Sequence, residues 1–123
     1  MQRRNQEDEL SGEAIELIAS RFKVLSDPVR LTLLHTLGEG ERSVGDLARA
    51  TGYSQANASK HLSILLDAGF VARRKEGLSV FYRVSDKSIF GICHIVCSIM
   101  NRTLAKNGAA VKSYSSAKGT ISA

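Results

Sequence analysis

Apolar residues recur at helical spacing over most of this chain and alternate in one stretch, and the changes of period mark out its elements. Leu10, Ala14, Leu17, Ile18, Phe22 and Leu25 fall on one stripe of a first helix. Acids in its first half, and Arg21 and Lys23 near its end, suit the two poles of the helix dipole. Ser26-Asp27-Pro28 breaks and restarts the chain; Asp27 is a good N-cap, and Pro28 suits the first helical position. A second helix runs through Val29, Leu31, Leu33, Leu34 and Leu37 to Gly38. It is apolar nearly all round, as a central buried helix should be. Residues 38–42 read as a loop.

Ser43 caps a third, short helix, with Asp46 in capping-box position three residues later. Val44, Leu47 and Ala48 point inward, and Gly52 stands where a C-terminal glycine belongs. Ser54 then caps a fourth helix. Two short helices joined by Thr51-Gly52-Tyr53 make a helix-turn-helix. The fourth helix has two unlike sides. Ala58, Leu62, Leu65 and Leu66 can enter a core. Gln55, Ala56, Ser59, Lys60 and Ser63 are small or polar, and such side chains can hydrogen-bond base edges and phosphates.

Gly69 ends that helix. Val71, then Val80, Tyr82 and Val84, fit a two-stranded hairpin with one apolar face and a turn at residues 75–78. Arg73, Arg74 and Lys75 form its basic tip, and a basic hairpin after a helix-turn-helix is a wing. Ser85-Asp86 starts a fifth helix with a stripe of Ile89, Cys93, Val96, Cys97, Met100 and Leu104, flanked by Ile92 and Ile99. Residues 1–9 read as a flexible N-terminus, 10–105 as one domain and 106–123 as a flexible polar tail.

Composition adds direction. At 123 residues and 43% apolar content the chain suffices for one domain with a modest core. Its formal charge of +5 is unevenly spread. Residues 1–20 carry Glu7, Asp8, Glu9, Glu13 and Glu16 against Arg3 and Arg4, whereas residues 42–83 carry seven bases against Asp46, Asp67 and Glu76. The positive charge thus sits where a DNA-binding surface needs it. No apolar run approaches the roughly 20 residues that span a bilayer, and no signal peptide is apparent. A cytoplasmic protein with no membrane partner is expected. Two cysteines make no disulfide framework.

On these residues the chain resembles the ArsR/SmtB family of bacterial repressors over about residues 18–104. The resemblance rests on the run from Phe22 to Leu31, on Ser43–Ala48, on Ser54–Leu62, and on Leu66–Arg74 leading into Tyr82. It implies a mainly α fold with a small β-hairpin: a winged helix-turn-helix, four helices, two strands and a fifth helix. It also implies a homodimer through the first and last helices, binding to an imperfect palindromic operator in double-stranded DNA, and release by an effector.

For the DNA surface, Gln55 is the leading base reader, since an amide can bond adenine bidentately. Ala56 can meet a thymine methyl or permit close approach. Ser54, as N-cap, belongs to the same helix start. Ser59 and Ser63 can bond bases or phosphates. Lys60, Arg73, Arg74 and Lys75 should contribute through phosphate contacts and counterion release. Each has a plainer alternative: a solvated helix face, or an ordinary exposed hairpin. His61, at the edge of the apolar stripe, is either a packing histidine or a phosphate contact.

The resemblance offers several effector sites, and most are missing. The family's arsenic-type site uses Cys-x-Cys just before Asp-Leu; here Ser43-Val44-Gly45 precedes Asp46-Leu47. Its zinc-type site on the last helix, counted from Asp86, falls on Ser88, Ile99 and Arg102. Its thiol-switch members use a cysteine late in the second helix, where this chain has His35. What remains is Cys93 and Cys97, an i, i+4 pair with both sulfurs on one helix face. In a dimer these thiols could bind a soft metal or metalloid ion as inducer, or answer an oxidant. They could equally be small apolar fillers, because free cysteine is often buried. No cofactor is required.

Two other function classes stand beside the repressor. One is a winged-helix module for protein or RNA contact. The other is a thiol oxidoreductase built on Cys93 and Cys97, against which the absence of any flanking group to lower a thiol pKa argues.

Overall fold

The computed structural model describes residues 10–105. The two ends read as flexible, residues 1–9 and 106–123, lie outside the described residues. The elements run α1 (Gly12–Leu25), α2 (Pro28–Leu37), β1 (Arg42–Ser43), α3 (Val44–Thr51), α4 (Gln55–Asp67), β2 (Val71–Glu76), β3 (Ser79–Val84) and α5 (Ile89–Ala105). The strands form one antiparallel sheet in the order β1-β3-β2.

Helix boundaries follow local chemistry. Ser11, Ser43 and Ser54 each accept a hydrogen bond from a backbone N–H three residues on, opening α1, α3 and α4. Asp27 does the same for α2 with Oδ1, taking the N–H groups of Val29 and Arg30 at 2.8 and 3.2 Å. Gly52, at φ +81°, stops α3 in a left-handed conformation that a side chain would strain. Gly69, at φ +85°, does likewise after α4. There the Phe70 N–H reaches the Leu65 carbonyl and the Gly69 N–H reaches that of Leu66, which turns the chain into β2.

The core lies where α2, α3 and α4 meet the sheet. Leu33, Leu34 and Leu37 of α2, Leu47 of α3, and Ala58, Leu62 and Leu65 of α4 are all sealed from solvent. Val71, Tyr82 and Val84 close it from the sheet side. Each fully buried leucine contributes about 1.5–3 kcal/mol relative to exposure. The central role expected of the second helix is met.

Three features differ from the sequence expectation. Arg42, expected at the end of a loop, and Ser43, which also caps α3 as expected, form β1 and pair with Tyr82 and Phe81. The hairpin turn is confined to Gly77 and Leu78, so Arg73, Arg74 and Lys75 lie within β2 rather than at its tip. Phe90, absent from the predicted stripe, is the residue that seats α5 in the core, at 1% exposure. The stripes of α1 and α5 are instead largely uncovered in the protomer. Leu17, Ile18 and Phe22 of α1 and Val96, Ile99 and Met100 of α5 are exposed.

Phe90→Ala should lower the unfolding free energy by about 3–5 kcal/mol, the usual cost of emptying a buried phenylalanine site. Denaturant titration measures this, and a loss under about 1 kcal/mol would show that α5 is anchored elsewhere.

Candidate nucleic-acid interface

α4 presents its two sides as unlike surfaces because one of them is locked into the core. Ala58, Leu62 and Leu65 face in, while Gln55, Ala56, Lys60 and Ser63 are exposed and Ser59 is half-buried. Exposed Ser54 has its hydroxyl committed to the Asn57 N–H at 3.1 Å. The start of α4 faces β2 and β3 across a polar groove of about 520 Å³. Gln55 and Ser59 line one wall, Arg73 and Tyr82 the other, and Ser43, Gly45 and Arg49 of the α3 region close an end. A cleft lined by hydroxyls, an amide and guanidinium groups is suited to polar, negatively charged matter.

The structure thus brings Gln55, Ser59 and Arg73 together. Ala56, Lys60 and Ser63 lie elsewhere on the exposed surface of α4. Lys75 is two residues from Arg73 along β2 and projects to the same side.

Arg74 projects to the opposite side. Its Nε donates to both oxygens of Glu41 at 2.9 and 3.0 Å, one terminal nitrogen meets Glu76 at 2.5 Å, and its guanidinium lies 4.7 Å from the Phe81 ring centroid. The hydrogen bond from Arg74 holds the Glu41 carboxyl below its usual range, and the two carboxylates raise Arg74 above the ordinary arginine value. Arg74 therefore braces the hairpin against the segment before β1. Its charge is paired from within the chain, unlike that of Arg73, and it points away from the groove.

Of the two readings open for His61, the packing one fits its surroundings. It is 9% exposed, and its Nδ1 lies 3.1 Å from a terminal nitrogen of Arg30. It faces away from the polar surface. Arg49, Leu78 and Ser79 at the groove were not singled out from sequence. Arg49, ion-paired with Asp46 and largely exposed, reads locally as an ordinary i, i+3 surface pair. Leu78 is fully exposed at the hairpin turn. The Glu41 contact to Arg74 spans 33 residues and leaves no local signal.

Cys93 and Cys97 lie on a different face. They are half-buried and line an apolar groove of about 590 Å³ with Phe22 and Leu25 of α1, Leu31 and His35 of α2, and Met100. His35 turns toward α5; its ring meets Phe90 edge-on at 5.2 Å. The Asn101 side-chain nitrogen lies 3.8 Å from the Cys97 sulfur as its donor, and burial pushes the Cys93 thiol above its ordinary value. Among the described residues no three His, Cys, Asp or Glu side chains gather as a metal centre.

The sequence model for bacterial regulatory proteins of the arsR family matches residues 27–73, which span α2 to the middle of β2. The chain is 42% identical over 69 residues to a biofilm growth-associated repressor of Xylella fastidiosa, a match covering 56% of this chain and 60% of that protein. It therefore spans about three fifths of the length of that relative. It is 36% identical over 89 residues to a probable mercury resistance operon repressor of Streptomyces lividans, covering 72% of this chain and 67% of that one. Among solved structures it is similar to the homodimeric winged helix-turn-helix DNA-binding domain of a possible ArsR-family transcriptional regulator from Mycobacterium bovis. That match has a TM-score of 0.67 and 26% identity, and covers 90% of this chain and 100% of that one. The winged helix-turn-helix expected from sequence is the fold observed.

The opposite directions of neighbouring arginines predict different salt behaviour. Arg73→Ala should reduce the slope of log affinity for duplex DNA against log salt by about 1, whereas Arg74→Ala should leave the slope close to wild type. Titration at several salt concentrations measures both, and a flattened slope for Arg74→Ala alone would reverse the assignment.

Proposed function

The chain belongs to the arsR family of bacterial regulatory proteins, and from that premise we propose that it is a transcriptional repressor that binds a palindromic operator as a homodimer and lets go when an effector acts at Cys93 and Cys97. The observation that carries the DNA-binding part is the polar groove formed by Gln55, Ser59 and Arg73 at the start of α4. An α-helix fits the major groove of B-DNA, and residues near its N-terminus reach base edges. Gln55 reads a base there, and Ala56 lies close to one. Ser59 and Ser63 bond bases or phosphates, while Lys60, Arg73 and Lys75 meet phosphates. Ser54 holds the helix start, whose N–H groups favour a phosphate.

The exposed apolar faces of α1 and α5 support the homodimer. A second copy would remove Leu17, Ile18, Phe22, Val96, Ile99 and Met100 from water. The homodimeric Mycobacterium bovis domain supports the same assembly. A two-fold protein then selects a two-fold site. The polar chemistry of the groove favours DNA over the protein-contact alternative, and membership in a family of regulators sets aside the oxidoreductase alternative. Among the described residues no helix is long and apolar enough to cross a membrane. Such a repressor works in the cytoplasm, where both thiols stay reduced.

The effector half rests on the position of the thiols. Cys93 and Cys97 open onto the groove beside α1, next to the exposed α5 face. Two thiols can hold a two-coordinate soft ion, whereas a three- or four-coordinate one would need donors from both subunits, since no third His, Cys, Asp or Glu gathers with them among the described residues. The likeness to a probable mercury resistance repressor favours soft-ion chemistry over oxidation. The plainer alternative, cysteines that only pack, is favoured by the burial of Cys93.

Two measurements test this function. On a duplex selected by the wild-type protein from a random-sequence library, Gln55→Ala should cost about 1–3 kcal/mol of binding and lose much less on random duplex. Equal losses on both would remove the base-reading role. Separately, Cd(II) or As(III) should release the wild-type protein from the selected duplex and leave Cys93→Ser/Cys97→Ser bound. A double variant that releases as wild type does would return the cysteines to packing.

A further inference from the structure

Arg30 joins three helices. Its Nε donates to the Val24 carbonyl in the last turn of α1 at 2.6 Å. A terminal nitrogen lies 3.1 Å from His61 Nδ1 in the middle of α4 and 3.8 Å from the Asp27 carboxylate that caps α2. A guanidinium has no acceptor, so Arg30 donates and Nδ1 accepts, which leaves the ring proton on Nε2. Both side chains are enclosed: that of Arg30 is 14% exposed, and His61 is 9% exposed. A hydrogen bond from a charged donor is stronger than a neutral one, and removing one partner strands the other without its bond.

The position of this contact matters more than its strength. Of the described residues of α1, Leu25 alone is buried, so the core holds that helix only at its end. The carbonyl that Arg30 grips belongs to Val24. Phe22, Leu25 and Ser26 on either side of it line the same apolar groove as Cys93 and Cys97. At its other end the contact reaches the helix that carries Gln55 and Ser59, one residue beyond exposed Lys60. A shift at the end of α1 moves the Val24 carbonyl against Arg30, and α4 must answer through His61 or lose the bond.

We propose that the Arg30–His61 contact is the joint by which the end of α1 sets the seating of α4 on DNA. Arg30 and His61 are positioning residues that touch no nucleotide. The proposal rests on α4 being the DNA-reading helix, and it supplies the link between that helix and the thiol-lined groove. Helix displacements of about 1–2 Å are the common scale of such transitions, and they are enough to take a base reader out of hydrogen-bond reach.

Three full-length variants separate this role from general stability. Arg30→Lys keeps the charge but replaces the planar fork with a point donor. His61→Leu keeps bulk and removes the acceptor. His61→Asn sets an amide oxygen close to the position of Nδ1. Each is titrated against a duplex selected by the wild-type protein from a random library and against random duplex. Amide hydrogen exchange is followed on the free proteins.

Arg30→Lys and His61→Leu should each bind the selected duplex about tenfold more weakly, with random-duplex binding within about twofold and His61→Asn recovering most of the loss. In the free proteins both damaging variants should raise exchange in the last turn of α1 and in α4 together. Wild-type affinity for the selected duplex in both variants would overturn the joint. So would equal losses on both duplexes with no rescue by asparagine, or faster exchange confined to one of the two helices. If the wild-type protein selects no duplex, the DNA-reading assignment fails on its own, and coupled exchange across α1 and α4 still decides the joint.

Discussion

The apolar seam between α2 and α4 is the constraint on which everything else in this fold depends. Leu33, Leu34 and Leu37 meet Ala58, Leu62 and Leu65 with Leu47 at the edge, and none exceeds 1% exposure. A helix sealed along one side resists large rotation or sliding, because either would open a void, and voids in close-packed cores are costly. The seam therefore fixes the outward direction of Gln55, Ala56, Lys60 and Ser63 as firmly as it fixes the leucines. The polar face of α4 is presented at a set height and angle, as recognition of a regular surface requires.

Charge is arranged by the sheet in the same indirect way. Arg73 and Arg74 are neighbours in sequence, yet the two-residue period of a strand sends them to opposite faces. One enters the polar groove; the other lies over Phe81 between Glu41 and Glu76. The positive charge counted along residues 42–83 therefore overstates the field available to a partner. Arg42 and Arg49 are likewise paired, with Glu39 and Asp46. Lys60, Arg73 and Lys75 stand exposed on the surface that carries the candidate contacts.

What was legible in the sequence was what local chemistry decides. Ser43, Ser54 and Asp27 cap the helices expected of them, because a cap is settled within three residues. The burial of Ala58, Leu62 and Leu65 followed from their spacing. Contacts between distant residues were not legible. β1 is two residues long and acquires its identity only by pairing with β3 some 40 positions later. Glu41 reaches Arg74 over a similar separation. His61 sits at the boundary of the stripe, where periodicity cannot say which way a ring turns; Arg30, on another helix, decides it. Phe90 escaped notice because α5 is apolar on nearly every side, so its pattern does not say which side meets the core.

The same ambiguity in α5 and α1 bears on how the protein would assemble. Their apolar stripes are genuine, but the protomer buries only the end of α1 and the start of α5. α1 leaves the core at Ser26-Asp27, where a new cap and Pro28 begin α2, so most of its length stands outside the α2–α4 seam. Covering the exposed stripes with a second copy would thus do more than hide apolar surface. It would fix in place the helix that the core holds least, and that helix ends on the Val24 carbonyl gripped by Arg30. Association and the seating of α4 then become linked equilibria, in which whatever strengthens one strengthens the other. On the proposed reading, control over α4 would then lie in the helix that a second copy has to hold.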